Sequence, residues 1–357
     1  MLTAIGMMSG TSMDGIDAAL LRTNGERIEA LGPSQTWAYP DDFRRKLQSV
    51  LGRERRDPQV QAVERDLTGL HGDMIERFLG DHGLTAGEID IIGFHGQTTL
   101  HRPAERLTIQ LGDGAALAAK LKIAVAWDFR SADIQAGGQG APFVPLYHAA
   151  LVRDLEGPVA VLNIGGVANV TWIGGESEIV AFDTGPGNGP MDDWMEKRFG
   201  ERFDTSGAAA RQGKADDARV AAALERTFFA IRPPKSLDRN DFTADLAIGL
   251  AENDGIATLA EITVASIAAA REHFPRPAFI WVVCGGGRHN DHLMARLRAR
   301  LSPARVVNAD ELGWNGDAVE AQAFGFLAVR ALRGMPLSLP TTTGVPYPMP
   351  GGRISRP

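Results

Sequence analysis

Gly6-Met7-Met8-Ser9-Gly10-Thr11-Ser12-Met13-Asp14-Gly15-Ile16-Asp17 reads as the end of one strand, a turn of small polar residues and the start of a second strand. Residues 2–8 are apolar and suit a buried strand, with Met7 and Met8 as core packing, and residues 16–22 alternate out of the turn. Gly10 and Gly15 permit tight turning and close backbone approach, so amide N–H groups can face an anion. Asp14 and Asp17 are hard oxygen ligands able to hold Mg²⁺ directly or through water. The plainer reading is a hairpin turn with solvated polar residues. Neither a P-loop nor a G-x-G-x-x-G fingerprint occurs, and Asp14 breaks the G-x-S-x-G register that would make Ser12 a hydrolase nucleophile.

Outward from this hairpin the chain is α/β. A third strand is expected around residues 28–37, then helical spacing from 41 to 82, a short buried strand at 89–94, a helix at 113–120 and a strand at 123–126. The plan then recurs: a helix at 144–152, and a strand at 159–163 that meets Gly165-Gly166 and returns at 167–173. Further strands are expected at 178–182 and 279–283. Helices are expected at 191–199, 216–228, 245–250, 258–273, 290–301 and 317–332. The likeness of residues 5–20 to residues 161–173 suggests two related α/β lobes with a ligand cleft between them. The expected division is residues 1–132, completed by part of the C-terminal helix, then 133–335. The Pro/Gly-dense stretch 336–357 reads as an irregular surface tail.

Two more glycine turns end apolar strands, Asn163-Ile164-Gly165-Gly166 and Cys284-Gly285-Gly286-Gly287. Strand ends are where α/β proteins place ligands. Three such turns point to one polyanion, a phosphate chain. Phe182-Asp183-Thr184-Gly185-Pro186-Gly187-Asn188 carries a lone carboxylate at a strand end, either a general base or an aspartate satisfying turn amides. Its Asp-Thr-Gly occurs once, whereas aspartic proteases need two aspartates. His95 reads equally as a substrate contact or a turn residue. Glu320 interrupts an apolar helix, for which surface exposure is the default explanation.

Composition narrows the class. The 357 residues hold 37 Lys+Arg and 44 Asp+Glu, a net charge of −7, which argues against a nucleic-acid surface. A lone cysteine, Cys284, excludes an intrachain disulfide, and the absence of any signal-like or membrane-length apolar run suggests a soluble cytoplasmic protein. There is no H-E-x-x-H and no cysteine pair for zinc.

The chain resembles the anhydro-N-acetylmuramic acid kinases of the sugar kinase/Hsp70/actin superfamily. The resemblance rests on the segments already quoted, with Gly93-Phe94-His95-Gly96-Gln97-Thr98, Gly137-Gly138-Gln139-Gly140-Ala141-Pro142, Cys284-Gly285-Gly286-Gly287-Arg288-His289-Asn290 and Glu320-Ala321-Gln322-Ala323-Phe324, all in the family's order. It implies a two-lobed actin-like ATPase fold, a duplicated ribonuclease H-like plan. It also implies an activity in bacterial cell-wall recycling: ATP, water and the 1,6-anhydro sugar give N-acetylmuramic acid 6-phosphate and ADP. On this resemblance Asp183 activates water, and residues 10–17 hold the ATP phosphates with Mg²⁺ at Asp14 and Asp17. Gly165 and Gly166 form a second phosphate turn, and Gly285, Gly286 and Gly287 line the adenosine. His95, Gln97, Thr98 and Glu320 contact the sugar, and a homodimer is expected. Competing readings are an ordinary hexose or amino-sugar kinase of the same fold and a nucleotide-gated binding protein of the actin or Hsp70 kind.

Overall fold

The computed structural model describes residues 1–10, 13–175 and 178–357. The chain forms two compact units, Met1–Leu151 with Ala318–Pro357, and Val152–Asp317. The boundary expected at 132/133 therefore lies at 151/152, because helix Pro145–Leu151 packs with helix Val319–Leu332 of the first unit.

In the first unit, β1 (Leu2–Met8), β2 (Gly15–Thr23) and β3 (Ile28–Ala38) form an antiparallel meander. β4 (Ile91–Phe94) adds parallel to β1, and after the hairpin β5 (Gln97–Arg102) and β6 (Leu107–Leu111), β7 (Val125–Trp127) adds parallel to β4. The second unit repeats this. β8 (Val159–Ile164), β9 (Val167–Gly175) and β10 (Glu178–Pro186) form the meander, and β11 (Ile280–Cys284) and β12 (Arg305–Asn308) extend β8 in parallel. The orders 3-2-1-4-7 and 10-9-8-11-12, with the same directions, are one topology used twice. This is the duplicated ribonuclease H-like plan of the actin-like ATPases.

Each unit has its own core. Ile5, Met7 and Phe94 pack with Phe78 of helix Pro58–Asp81 in the first. In the second, Trp172, Trp281 and Phe182 pack under helix Glu252–Ala269, buried at every residue from Gly255 to Ala268. No described helix is long and apolar enough to cross a membrane.

The helical stretch expected at 216–228 is a helix only over Asp217–Leu224, followed by a separate turn at Thr227–Ala230. Residues 245–250 hold a 3₁₀ turn instead of an α-helix. The expected surface tail is also corrected. Strand Arg353–Ser355 pairs with β7, and Leu337, Thr343 and Val345 are buried. Proline and glycine density excludes a helix but not docking on a sheet edge, and here it covers one. The anchor is Asp133, 2% exposed. Its Oδ2 accepts from Ser338 Oγ (2.5 Å) and Thr343 Oγ1 (2.6 Å), and its Oδ1 from the Gly140 N–H (2.7 Å). Asp133→Ala strands three buried donors, each worth about 1–3 kcal/mol. Urea unfolding should show a loss of at least about 3 kcal/mol; a loss below about 1 kcal/mol would mean the tail is held by other contacts.

Candidate active site

The structure gathers the sequence-predicted residues into two clusters, one in each unit. In the first, the β1–β2 turn is held from behind. Ser9 Oγ donates to the Gly96 carbonyl (2.9 Å), and the Gly10 carbonyl accepts from Gln97 Nε2 (3.0 Å) and the Met13 N–H (3.1 Å). Thr11 and Ser12 lie outside the described residues. Met13 takes the left-handed conformation (φ 55°) that closes the turn. Gly15 has a packing reason to be bare, since a Cβ there would stand 2.1 Å from the Trp37 carbonyl oxygen.

Asp14 and Asp17 are used differently. Asp14 is exposed and faces Arg44 Nη2 at 3.3 Å. Asp17 accepts from Thr36 Oγ1 (2.5 Å), its cross-strand partner on β3. Among the described residues no group of three or more His, Cys, Asp or Glu side chains is set to hold a metal.

Glu320 is partly buried at the start of helix Val319–Leu332, which corrects the surface default. Burial pushes its carboxyl above the ordinary range, the Asp17 carboxylate adds to that, and the Arg130 guanidinium opposes it. Arg130 was not singled out in the sequence. Its Nη1 donates to the Gly140 carbonyl (2.7 Å) and its Nη2 to His95 Nε2 (3.0 Å). His95 is 3% exposed and stacks on Phe324, and burial, aided by Arg130, keeps it neutral. It buttresses the arginine. Gln97 is equally buried, and the Thr98 Oγ1 has no hydrogen-bond partner among the described residues.

In the second unit, the strand register assembles a polar row. Asp183 on β10 stands opposite Asn169 on β9, Asn169 opposite Asn163 on β8, and Asn163 opposite Cys284 on β11. Directly opposed residues share a sheet face, so Asp183, Asn169 and Asn163 project to one side, all partly buried. Neither asparagine was singled out; only strand pairing shows them in line with the aspartate. The Asp183 N–H donates to the Lys235 carbonyl (3.1 Å), and its Oδ2 accepts from the Leu237 N–H (2.8 Å). Burial pushes its carboxyl from 3.8 up to about 7, against that single N–H.

The glycine turns lie beside this row. A Cβ at Gly165, Gly166 or Gly286 would make only ordinary contacts, none nearer than 3.5 Å, so packing alone does not require these three to be bare. Gly285 and Gly287 are bare for packing, because a Cβ would meet Asn163 Oδ1 at 2.2 Å and Ile164 Cγ2 at 2.4 Å. The Gly166 carbonyl accepts from the Gly187 and Gly189 N–H groups (both 3.1 Å), tying the Gly165-Gly166 turn to the segment after Asp183. Arg288, 4% exposed, donates to the Gly285 carbonyl (3.1 Å) and bidentately to Asp317 (2.6 and 2.7 Å), which fixes the other turn.

Comparison with known proteins places the chain in a family. The sequence profile of the anhydro-N-acetylmuramic acid kinases matches residues 2–355. The chain belongs to that family. It is 52% identical over 369 residues to the anhydro-N-acetylmuramic acid kinase of Rhodopseudomonas palustris (strain HaA2), covering 100% of both chains. With the same-named enzyme of Rhodospirillum rubrum it shares 52% identity, over 98% of this chain and 93% of that one. It is therefore a kinase, a phosphotransferase that uses ATP. Solved structures resemble it remotely. An activator of 2-hydroxyisocaproyl-CoA dehydratase from Clostridium difficile is 13% identical with a TM-score of 0.45, over 93% of this chain and 96% of that one. These values are too low to add to the topology described above.

Proposed function

We propose that the chain opens 1,6-anhydro-N-acetylmuramic acid with water and transfers the ATP γ-phosphoryl to O6, giving N-acetylmuramic acid 6-phosphate and ADP. The observation that carries the reading is a partly buried carboxyl, Asp183, raised to about 7 beside glycine turns at strand ends. In the anhydro sugar O6 is bonded to C1 and has no proton to lose, so a base has work to do only on water. Asp183 takes one proton from water as the water oxygen bonds to C1. The C1–O6 bond breaks, its electron pair goes to O6, and O6 attacks the γ-phosphorus in line while ADP departs. The first half is an inverting glycoside hydrolysis whose acid is replaced by phosphoryl transfer. A base near 7 matches this task, being ionised in neutral solution and still basic enough to accept a proton.

The turn at residues 10–17 is assigned to the ATP phosphates, with Gly165 and Gly166 as the second phosphate turn and Gly285, Gly286 and Gly287 along the adenosine. Glu320, beside Arg130, is assigned to sugar or water, with His95, Gln97 and Thr98 behind that contact. Asp14 and Asp17 offer only hard oxygen donors, which fits a Mg²⁺ ion that keeps most of its waters. When bound, it neutralises phosphate charge. The cytoplasm, where ATP is available, is the compartment this reading requires.

Solvent ¹⁸O tests it. With the anhydro sugar and ATP, label should enter the product at C1 and be absent from the transferred phosphate. Label in phosphate would mean ATP hydrolysis. ADP release with a reducing amino sugar alone would make the chain an ordinary sugar kinase, and turnover indifferent to sugar would make it a nucleotide-gated binding protein.

A further inference from the structure

Asp183 is held at two points by a segment that lies outside the sheet. Residues 231–238 form no strand or helix, yet supply both the carbonyl that accepts the Asp183 N–H and the Leu237 N–H that reaches its carboxylate. A segment without regular structure needs something else to fix it.

The Lys235 side chain does so. It is 9% exposed, and its Nζ donates to the carbonyls of Phe228 (3.1 Å) and Phe229 (3.4 Å). The same Nζ stands 3.2 Å from His273 Nε2, 4.4 Å from the Phe228 ring centre and 5.7 Å from that of Phe182. Phe182 precedes Asp183 in β10 and meets His273 edge-on at 5.4 Å. One ammonium thus joins the 231–238 segment, the turn Thr227–Ala230, the 3₁₀ turn Ala270–His273 that follows the long helix, and the base's own strand. Among the described residues it meets carbonyls, rings and an imidazole, and no carboxylate. Burial without a counter-charge is costly for an ammonium, and it pushes Lys235 down to about 8. Apolar residues would fill the same space more cheaply, so the retained charge calls for a role.

We infer that Lys235 is a positioning residue for Asp183: its ammonium pins the 231–238 segment so that the Leu237 N–H stays on the carboxylate. The inference rests on the base role proposed above. Lys235 acts through the backbone, since what sets the Asp183 carboxyl is its burial and the Leu237 N–H. The charged and titratable groups around the clamp are His273, held neutral by burial and by Lys235, with Glu272 and Arg232 acting on that imidazole.

The test is the pH profile of kcat/KM for the anhydro sugar. An N–H bonded to the ionised carboxylate holds its pKa down. Lys235→Met should therefore move the acid limb up from near pH 7 by about one unit, a roughly fivefold to tenfold loss at pH 7. The two curves should converge at alkaline pH, where the base is ionised in both, and the KM for ATP should be unchanged. Lys235→Arg, which keeps a cation able to donate to carbonyls and lie on the rings, should restore the limb. If the methionine variant does not fold, Lys235→Gln carries the same expectation. An unmoved limb in a folded Met or Gln variant, with Asp183→Asn inactive, overturns the clamp alone. Turnover retained by Asp183→Asn overturns the base and the clamp together.

Discussion

Replacing Asp183 with asparagine should leave ATP binding intact and reduce kcat by at least about 10²-fold and up to about 10⁴-fold, the usual range for loss of a general base. The substitution is nearly isosteric. An asparagine oxygen can still accept the Leu237 N–H, and the backbone N–H still meets the Lys235 carbonyl. What disappears is the capacity to take a proton. Loss of less than about tenfold would remove Asp183 from the chemistry. The unsubstituted enzyme should show the matching pH dependence, with kcat/KM falling about tenfold per unit below pH 7 as the carboxyl, raised to about 7, becomes protonated. Stability should move the opposite way. A carboxyl whose folded value lies above its unfolded 3.8 favours the folded state fully below that pH. It loses this contribution progressively up to about 7. The Asn variant's Tm advantage should therefore grow from pH 4 to pH 7 and then level off. A Tm difference that stays flat across this interval would mean the carboxyl is not raised.

Legibility followed the range of the interactions. β1 and β2 were readable because a hydrophobic strand, a Gly/Ser/Thr turn and an alternating strand are local signals. The repeat of that hairpin at β8 and β9 was enough to suggest a duplicated fold. β12 was missed: Arg305-Val306-Val307-Asn308 is too short to signal alone and is a strand because β11 offers it parallel partners. The β5–β6 hairpin was hidden by polar residues at alternate positions, such as Thr98, His101 and Arg102. The tail looked solvent-exposed because its anchor, Asp133, lies 205 residues before Ser338. The site shows the same division. Asp183 announced itself as a carboxylate at a strand end. The group that aims it did not, for Leu237 meets Asp183 across 54 residues and Lys235 meets His273 across 38. The glycine turns were found as motifs, but which glycines leave room for a side chain and which are bare for packing is a three-dimensional property.

Gly6→Ala should destabilise the chain by about 3 kcal/mol or more, the upper range for overpacking, although it adds one methyl group to a strand. Gly6 lies in a row of small residues across the first sheet, Ala19, Gly6, Gly93 and Ala126, which the register places side by side. Helix Val319–Leu332 is seated on that row. A Cβ at Gly6 would stand 1.7 Å from the Ala321 carbonyl oxygen and 2.4 Å from the Gly325 nitrogen, and one at Gly93 would stand 2.0 Å from the Phe324 oxygen. These obstacles are backbone atoms, so no rotamer change relieves them and the whole helix must lift. It is fastened at its far end by Arg330, which donates to the Gly25 carbonyl (2.5 Å) and the Pro336 carbonyl (2.6 Å), and it carries Glu320 in its first turn. Lifting it should therefore separate Glu320 from Asp17 and Arg130 as well as open the core. Gly69→Ala is the contrast, in a helix where a Cβ has nothing within 4 Å. It should stabilise by about 0.5–1 kcal/mol through helix propensity. Denaturant melts of the two variants decide the matter: a Gly6→Ala loss below about 1 kcal/mol would mean that the helix does not rest on this row.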